Sequence, residues 1–158
     1  MQLLDGYVQA EKSEQAATLA NELLDEARQT LPEDSIQLAS KLTSLGSSLI
    51  KAKAYSDAER FSRESLDIRE KISPTSWLTF SAKSQLGEAL CGQKKYDEAE
   101  PLLLSGYEGM KKRETTISKS SANVLPDSLD RLIELYKATD KPDEMAKWQT
   151  ERVKYSNN

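Results

Sequence analysis

Residues 86–114, LGEALCGQKKYDEAEPLLLSGYEGMKKRE, repeat in outline what residues 45–71 have already spelled, LGSSLIKAKAYSDAERFSRESLDIREK. Leu45-Gly46 falls on Leu86-Gly87, Tyr55 on Tyr96, and Ala58-Glu59 on Ala99-Glu100, all at one offset of 41 residues. Segment 13–32 matches 55–74 more loosely at an offset of 42, aligning Ala16 with Ala58, Glu22 with Glu64, Leu24 with Leu66 and Pro32 with Pro74. A period between about 20 and 50 residues marks a stacked array, because one unit of that length cannot bury its own apolar face and must lean on its neighbours.

The apolar residues inside each unit recur at helical spacing, and no stretch alternates with period two, so no sheet is expected. The first helix is expected over 1–11, with Leu3, Leu4, Tyr7 and Val8 on one face and Asp5 and Gln9 on the other. Ser13 is placed to cap a second helix over 14–30, which Pro32 stops. Asp34 or Ser35 caps a third that runs to about 53. The fourth covers 56–71 and the fifth about 76–93, ended by Gly92 and a short turn. A sixth begins at Tyr96 or Asp97 and runs to about 114. Residues 114–123 form the least patterned stretch and the longest connection. Pro126 leaves two starts for the seventh helix, near Leu125 or, with a kink, near Ser118; the earlier one is favoured here, with the end near 139. The last helix, 143–155, has a thin apolar face, since Arg152 holds the centre of its stripe and Val153 only the edge. Residues 156–158 should fray. This gives eight helices in four antiparallel pairs within one domain, with units over about 1–32, 33–74, 75–115 and 118–156.

Composition narrows the chemistry. The 22 basic and 26 acidic residues leave a net charge of −4, without the basic face that nucleic acid requires. The chain has no histidine, which removes the commonest general base, the usual triads and the commonest metal ligand. No Gly-rich phosphate loop or metal-ligand cluster stands in their place. The expectation is a non-enzyme without cofactor or metal. Cys91 is alone, so no intramolecular disulfide can form and a reducing compartment is expected. With no apolar run near the roughly 20 residues of a membrane span and no basic-then-apolar leader, the expected location is cytoplasmic, away from membranes. Cys91 reads as a small buried hydrophobe, and Trp77 and Trp148 as packing residues. Asp97, Glu98 and Glu100 suit the positive end of a helix dipole, and Lys111, Lys112 and Arg113 the negative end.

The pattern Leu42, Leu45-Gly46, Leu49, Tyr55, Ala58, Ser65, Leu66, followed by Leu86-Gly87, Leu90, Tyr96, Ala99, Gly106, Tyr107, resembles the tetratricopeptide repeat. Its period is longer than that family's usual length of about 34 residues. Long units ending in LDIREK and followed by Pro74 resemble the repeats of kinesin light chains and their bacterial relatives. More narrowly, AEPLLLSGYEGMKKRE with LDRLIELYKATDKPDEMAKW is similar to the repeat region at the C-terminal end of some bacterial serine/threonine kinases; the likeness covers 39–148, without HRD or DFG. The resemblance implies an all-α, right-handed α-solenoid of four helix-turn-helix units. It also implies a non-catalytic scaffold or adaptor that binds a protein or peptide segment in its concave groove. The alternative it carries is a regulatory or self-associating appendage of a signalling kinase, acting in cis or as a homodimer. The first and last pairs depart from the pattern, as terminal units do, because one face must meet water.

In such arrays the first helix of each pair lines the groove. By register, the groove residues implied are Asp5 and Gln9; then Ser40, Thr43, Ser47 and Lys51; then Ser81, Ser84, Glu88 and Cys91; and last Asp127, Asp130, Glu134 and Lys137. The middle is a run of small hydroxyls and the C-terminal end is acidic. The Lys and Asn that some tetratricopeptide domains use to clamp chaperone tails are absent at Thr43, Ser47, Ser84 and Glu88, which speaks against that ligand. The acidic end either steers a basic segment or is a solvated helix face.

Overall fold

The periodic segments resolve into eight α-helices in the computed structural model, which describes residues 2–10 and 12–155. They are α1 (Gln2–Gln9), α2 (Ser13–Thr30), α3 (Ile36–Lys51), α4 (Tyr55–Ile72), α5 (Trp77–Gly92), α6 (Tyr96–Lys111), α7 (Val124–Ala138) and α8 (Pro142–Val153). Two single-turn 3₁₀ helices, Glu114–Thr116 and Lys119–Ser121, fill the connection between α6 and α7, and no strand forms among the described residues. The expected fraying of 156–158 lies outside the described residues.

Local chemistry sets the boundaries. Ser35 and Ser76, 41 residues apart, cap α3 and α5: Ser35 Oγ accepts from the Leu38 amide at 3.1 Å and Ser76 Oγ from the Leu78 amide at 3.3 Å. Ser13 does not act as a cap. It is the first residue of α2, and Lys12 before it makes no side-chain cap bond. Gly92 does not break α5 either, for its backbone is helical and no glycine has positive φ. Its missing side chain makes room for Tyr55, whose ring would lie 2.3 Å from a Cβ at that position. The turns within pairs are closed instead by Lys53 and Lys94, both at φ 61°, and by Asp140 at φ 52°. The later start of α7 is the one the chain adopts. A helix begun near Ser118 would carry Pro126 in its interior, against a carbonyl four residues back; begun at Val124, it has Pro126 in the first turn, where no amide partner is lost. Between Ser118 and Val124 the one apolar residue is the exposed Ala122, which holds no helix down, and Ile117 of the preceding loop packs on the core.

The helices pack as the pairs α1–α2, α3–α4, α5–α6 and α7–α8, with each second helix also meeting the next first helix. The core runs through the array without a break. Ala89 of α5 belongs to the cluster formed by α1 to α4, while Leu66 of α4 belongs to the cluster formed by α5 to α8. At Gly106 the backbones of α5 and α6 almost touch: a Cβ there would stand 2.9 Å from Phe80 O and from Ser84 N. The backbones of α1 and α3, α3 and α5, and α5 and α7 approach one another, whereas the second helices meet mainly through long side chains, such as Arg28 with Glu64 and Tyr107 with Trp148. The array therefore closes up along its first helices and spreads along its second ones, an all-α repeat solenoid with α1, α3, α5 and α7 on the inner face.

Repeated ion pairs staple neighbouring units on the other face. Lys95 reaches Glu59 at 2.8 Å, and Lys141 reaches Glu100 at 3.0 Å. The acids are 41 residues apart and the lysines 46, so the 3₁₀ connection is an insertion of about five residues that leaves the staple intact. The last unit is thinly packed: in α8 only Trp148 is buried, edge-on to Tyr107 with ring centres 5.4 Å apart. Arg152, at mid-stripe, turns to Asp130 at 2.8 Å, and Val153 is 59% exposed.

Candidate protein-binding groove

Position on the inner helices decides which register-implied residues a ligand could meet. On α1, Asp5 and Gln9 are exposed. On α3, Ser40 and Lys51 are exposed, and Thr43 and Ser47 are half-buried. The Ser40 hydroxyl donates to Ile36 O at 2.8 Å; Thr43 Oγ1 lies 2.8 Å from both Ala39 O and Ser65 Oγ. Neither hydroxyl is a bare donor waiting for a ligand, yet each keeps acceptor capacity. On α5, Ser81 and Glu88 are half-buried. Ser84 is fully buried, because the close approach of α6 at Gly106 seals one side and Arg131 the other. As placed, Ser84 supports the groove wall and offers nothing to a ligand. Cys91 is half-buried, and burial followed by the charge of Glu88 pushes its thiol up to about 11, which suits an inert side chain.

The acidic end is internally neutralised. Asp127, Asp130 and Glu134 are all exposed on α7. Glu88 accepts from Arg131 Nε at 2.5 Å, Asp130 from Arg152 at 2.8 Å, and Lys137 stands 3.5 Å from Glu134. Of the four carboxylates at this end, three thus have a cation at hand before any ligand arrives.

Three polar residues that shape the groove were not foreseen from the register. Gln85 and Arg131 stand at one repeat position, 46 residues apart, and each reaches back to the preceding first helix. Gln85 Nε2 donates to Thr43 O at 2.8 Å, and Arg131 donates to Ser84 Oγ at 3.1 Å as well as to Glu88. They latch α3 to α5 and α5 to α7. The signal for Arg131 was available in the sequence but sat behind the five-residue shift in register. The third, Arg69, comes from α4 and is 3% exposed, with Nη2 3.3 Å from Ser40 Oγ and 3.5 Å from Thr43 Oγ1. Among the described residues no group of three or more His, Cys, Asp or Glu side chains could hold a metal ion, and no helix is long and apolar enough to cross a membrane.

Residues 38–74 match the family model of the tetratricopeptide repeat. The whole chain is also similar in fold to two solved structures. One is BtubC (BKLC) from P. vanneervenii, at 15% identity and a TM-score of 0.73, covering 98% of this chain and 60% of that one. The other holds the nearly identical TPR-like repeats of a candidate kinesin light chain from Podosopora anserina, at 16% identity and a TM-score of 0.73, covering 96% of this chain and 71% of that one. This chain therefore spans 60% of the length of BtubC. No curated protein matches it in sequence. The Leu-Gly, Tyr and Ala positions that carried the resemblance thus lie in a fold of the kinesin-light-chain-like kind.

Proposed function

We propose that this tetratricopeptide-repeat chain is a non-catalytic scaffold that holds a protein or peptide segment along α1, α3, α5 and α7. Repeats of this family generally mediate protein–protein contact, and the inner helices are in register to offer one continuous strip. The observation that carries the reading is the set Ser40, Thr43, Ser47 and Ser81, of which Ser40 is exposed and the other three half-buried. These are small polar side chains on the inner face, so a bound segment can lie close to the helix backbones. A groove without acidic side chains among Ser40, Thr43, Ser47 and Ser81, and largely self-paired at its acidic end, does not favour attraction of a basic segment. The lone thiol of Cys91 suits a reducing compartment such as the cytoplasm.

The test is comparative affinity capture. Wild type, Ser47→Arg/Ser81→Arg on the inner face, and Gln29→Arg on α2 as a control are immobilised, and retained proteins are quantified by mass spectrometry. Groove ligands fall at least about tenfold on the double variant and hold on the control, a loss of about 1.4 kcal/mol or more. Equal retention on all three removes the reading.

A self-associating role has one observation of its own. Leu3, at the open edge of the first unit, is 60% exposed beside the half-buried Tyr7 and Leu19, an apolar edge that a second copy could cover. The kinase-appendage version of that role rests on sequence likeness alone. A concentration-dependent mass in sedimentation that Leu3→Glu abolishes supports self-association; a monomer across the concentration range rejects it.

A further inference from the structure

Arg69 is the one arginine among the described residues that is buried and yet faces no carboxylate. Arg28, Arg60, Arg63, Arg131 and Arg152 all have one within ion-pair reach. Arg113 is half-buried and instead stacks on Phe80 at 4.5 Å and donates to Gly109 O at 3.0 Å. Glu70, beside Arg69 in sequence, is turned onto Lys83 at 2.8 Å. The oxygens that face the Arg69 guanidinium are neutral hydroxyls at the long end of hydrogen bonding: Ser65 at 3.4 Å, Ser40 at 3.3 Å and Thr43 at 3.5 Å. A buried cation with such partners keeps most of its desolvation cost.

The repeat shows that the fold does not ask for a cation here. One period on, 41 residues later, Met110 occupies the matching place in α6 and is fully buried; one period back, at 42 residues, stands Ala27. An apolar side chain satisfies the same packing. What differs around Arg69 is the hydroxyl set. Ser40 is exposed and Thr43 half-buried on the inner face, so the two hydroxyls above the guanidinium lie where the groove opens. Gln85 occupies the Thr43 carbonyl at 2.8 Å, while the Thr43 hydroxyl lies 2.8 Å from both Ala39 O and Ser65 Oγ and 3.5 Å from the guanidinium.

We propose that Arg69, with the hydroxyls of Ser40 and Thr43, forms an oxyanion subsite in the groove floor that takes a carboxylate or phosphate carried by the bound segment. The proposal rests on the groove reading above and adds the chemistry of one contact. An oxyanion drawn down over Ser40 supplies the charge the guanidinium lacks, in the planar two-point geometry that arginine favours. The hydroxyls donate to it as well by turning from Ile36 O and Ala39 O. Here a buried charge that weakens the empty fold is repaid on binding.

The experiment is a titration of the whole chain, with isotope-labelled arginine and backbone, at fixed ionic strength set by chloride. Inorganic phosphate is one probe and the peptide acetyl-Asp-Glu-Asp-amide the other. The expected result is a saturable shift of the Arg69 Nε–H and of the Ser40 and Thr43 amides. It falls at least tenfold in affinity in Arg69→Met and is retained in part in Arg69→Lys. Saturation by phosphate alone assigns the subsite to phosphate, and by the peptide to carboxylate. Arg69→Met, which copies Met110, is expected to unfold at a denaturant midpoint equal to or above wild type in the chloride buffer without phosphate or peptide. No saturable shift with either probe overturns the proposal, as does a shift unchanged in Arg69→Met. If Arg69→Met does not fold, the proposal is also overturned, since the side chain is then structural; Ser40→Ala with Thr43→Val then serves only to locate any residual shift. Absent oxyanion binding alongside capture that still depends on Ser47 and Ser81 rejects this inference alone. Oxyanion binding alongside capture indifferent to those substitutions rejects the groove reading alone.

Discussion

A glycine inside a helix is destabilising unless a methyl group has nowhere to go, and α3 and α6 show the two cases. At Gly106 the atoms that would meet a Cβ are Phe80 O and Ser84 N at 2.9 Å, backbone that cannot step aside. At Gly46 the nearest are Ser62 Oγ at 3.3 Å and Gln85 Nε2 at 3.5 Å, both side-chain ends. Gly106→Ala is therefore expected to cost about 2–3 kcal/mol by forcing α5 and α6 apart. Gly46→Ala should stay within about 1 kcal/mol of wild type, because gained helix propensity offsets a small shift of Ser62. Urea midpoints decide the matter, and equal losses from the two substitutions would show that the close approach at Gly106 is not the constraint. Ser62 Oγ and Gln85 Oε1 are buried without a hydrogen-bond partner, so the polar seam around Gly46 is where the interior is least well satisfied.

Elements carry their own exceptions. Pro101 sits inside α6, exposed, at the sixth residue, where it cannot donate to the carbonyl of Asp97. The helix persists because its buried side chains, Ala99, Leu103, Gly106, Tyr107 and Met110, lock it against α5 and α7. Tertiary packing outweighs a local cost of about 3 kcal/mol. Pro101→Ala should restore the missing bond and stabilise the chain by about 1–3 kcal/mol, read as a higher midpoint in thermal and urea unfolding. A lower midpoint would mean that the proline sets a bend on which the packing of α6 depends. The α6–α7 connection is the complementary case. Its 3₁₀ turns form where apolar periodicity lapses, and the register of the array resumes beyond it at Arg131, the counterpart of Gln85.

Across the whole molecule, stability is a matter of interfaces between units, because each pair touches only its neighbours. The Glu59 and Glu100 staples sit at two such interfaces. Burial works against the charge on Glu59, but hydrogen bonds from Lys95, Arg63 and Gln93 outweigh it and bring the carboxyl down to about 2 from 4.5. At Glu100 the bond from Lys141 leads, burial opposes it, and Tyr136 adds a second bond; the net shift is downward. Depressed carboxylates stabilise the fold fully above their unfolded pKa, and that contribution is lost as pH falls through the folded value. The chain should therefore lose midpoint stability between about pH 4.5 and 2, with Glu59 contributing about 1–2 kcal/mol once solvent screening is allowed for. Glu59→Gln should be less stable than wild type at pH 7 and should lose less on acidification. Parallel acid profiles for the two proteins would exclude the staple as the cause.

Much of the architecture was legible because it rests on periodicity. A 41-residue echo and helical apolar spacing are local facts, and local facts survive in a linear string. They determined eight helices, their pairing, and the register that puts Ser40, Ser47 and Ser81 on the inner face. Helix ends near proline and the cap at Ser13 were less secure, since several starts satisfy the same few residues. The candidate groove was half legible. Register names a helix face, but not whether a neighbour closes over it, as α6 and Arg131 close over Ser84. Nor does it say which charges find each other, as Glu88 finds Arg131 across 43 residues. Sequence by itself determined the array and its orientation, because those follow from repeating side-chain volume along one chain. Tertiary structure alone decided which groove residues stay available and left Arg69 buried without a counter-charge, because burial and pairing depend on several helices meeting at one point.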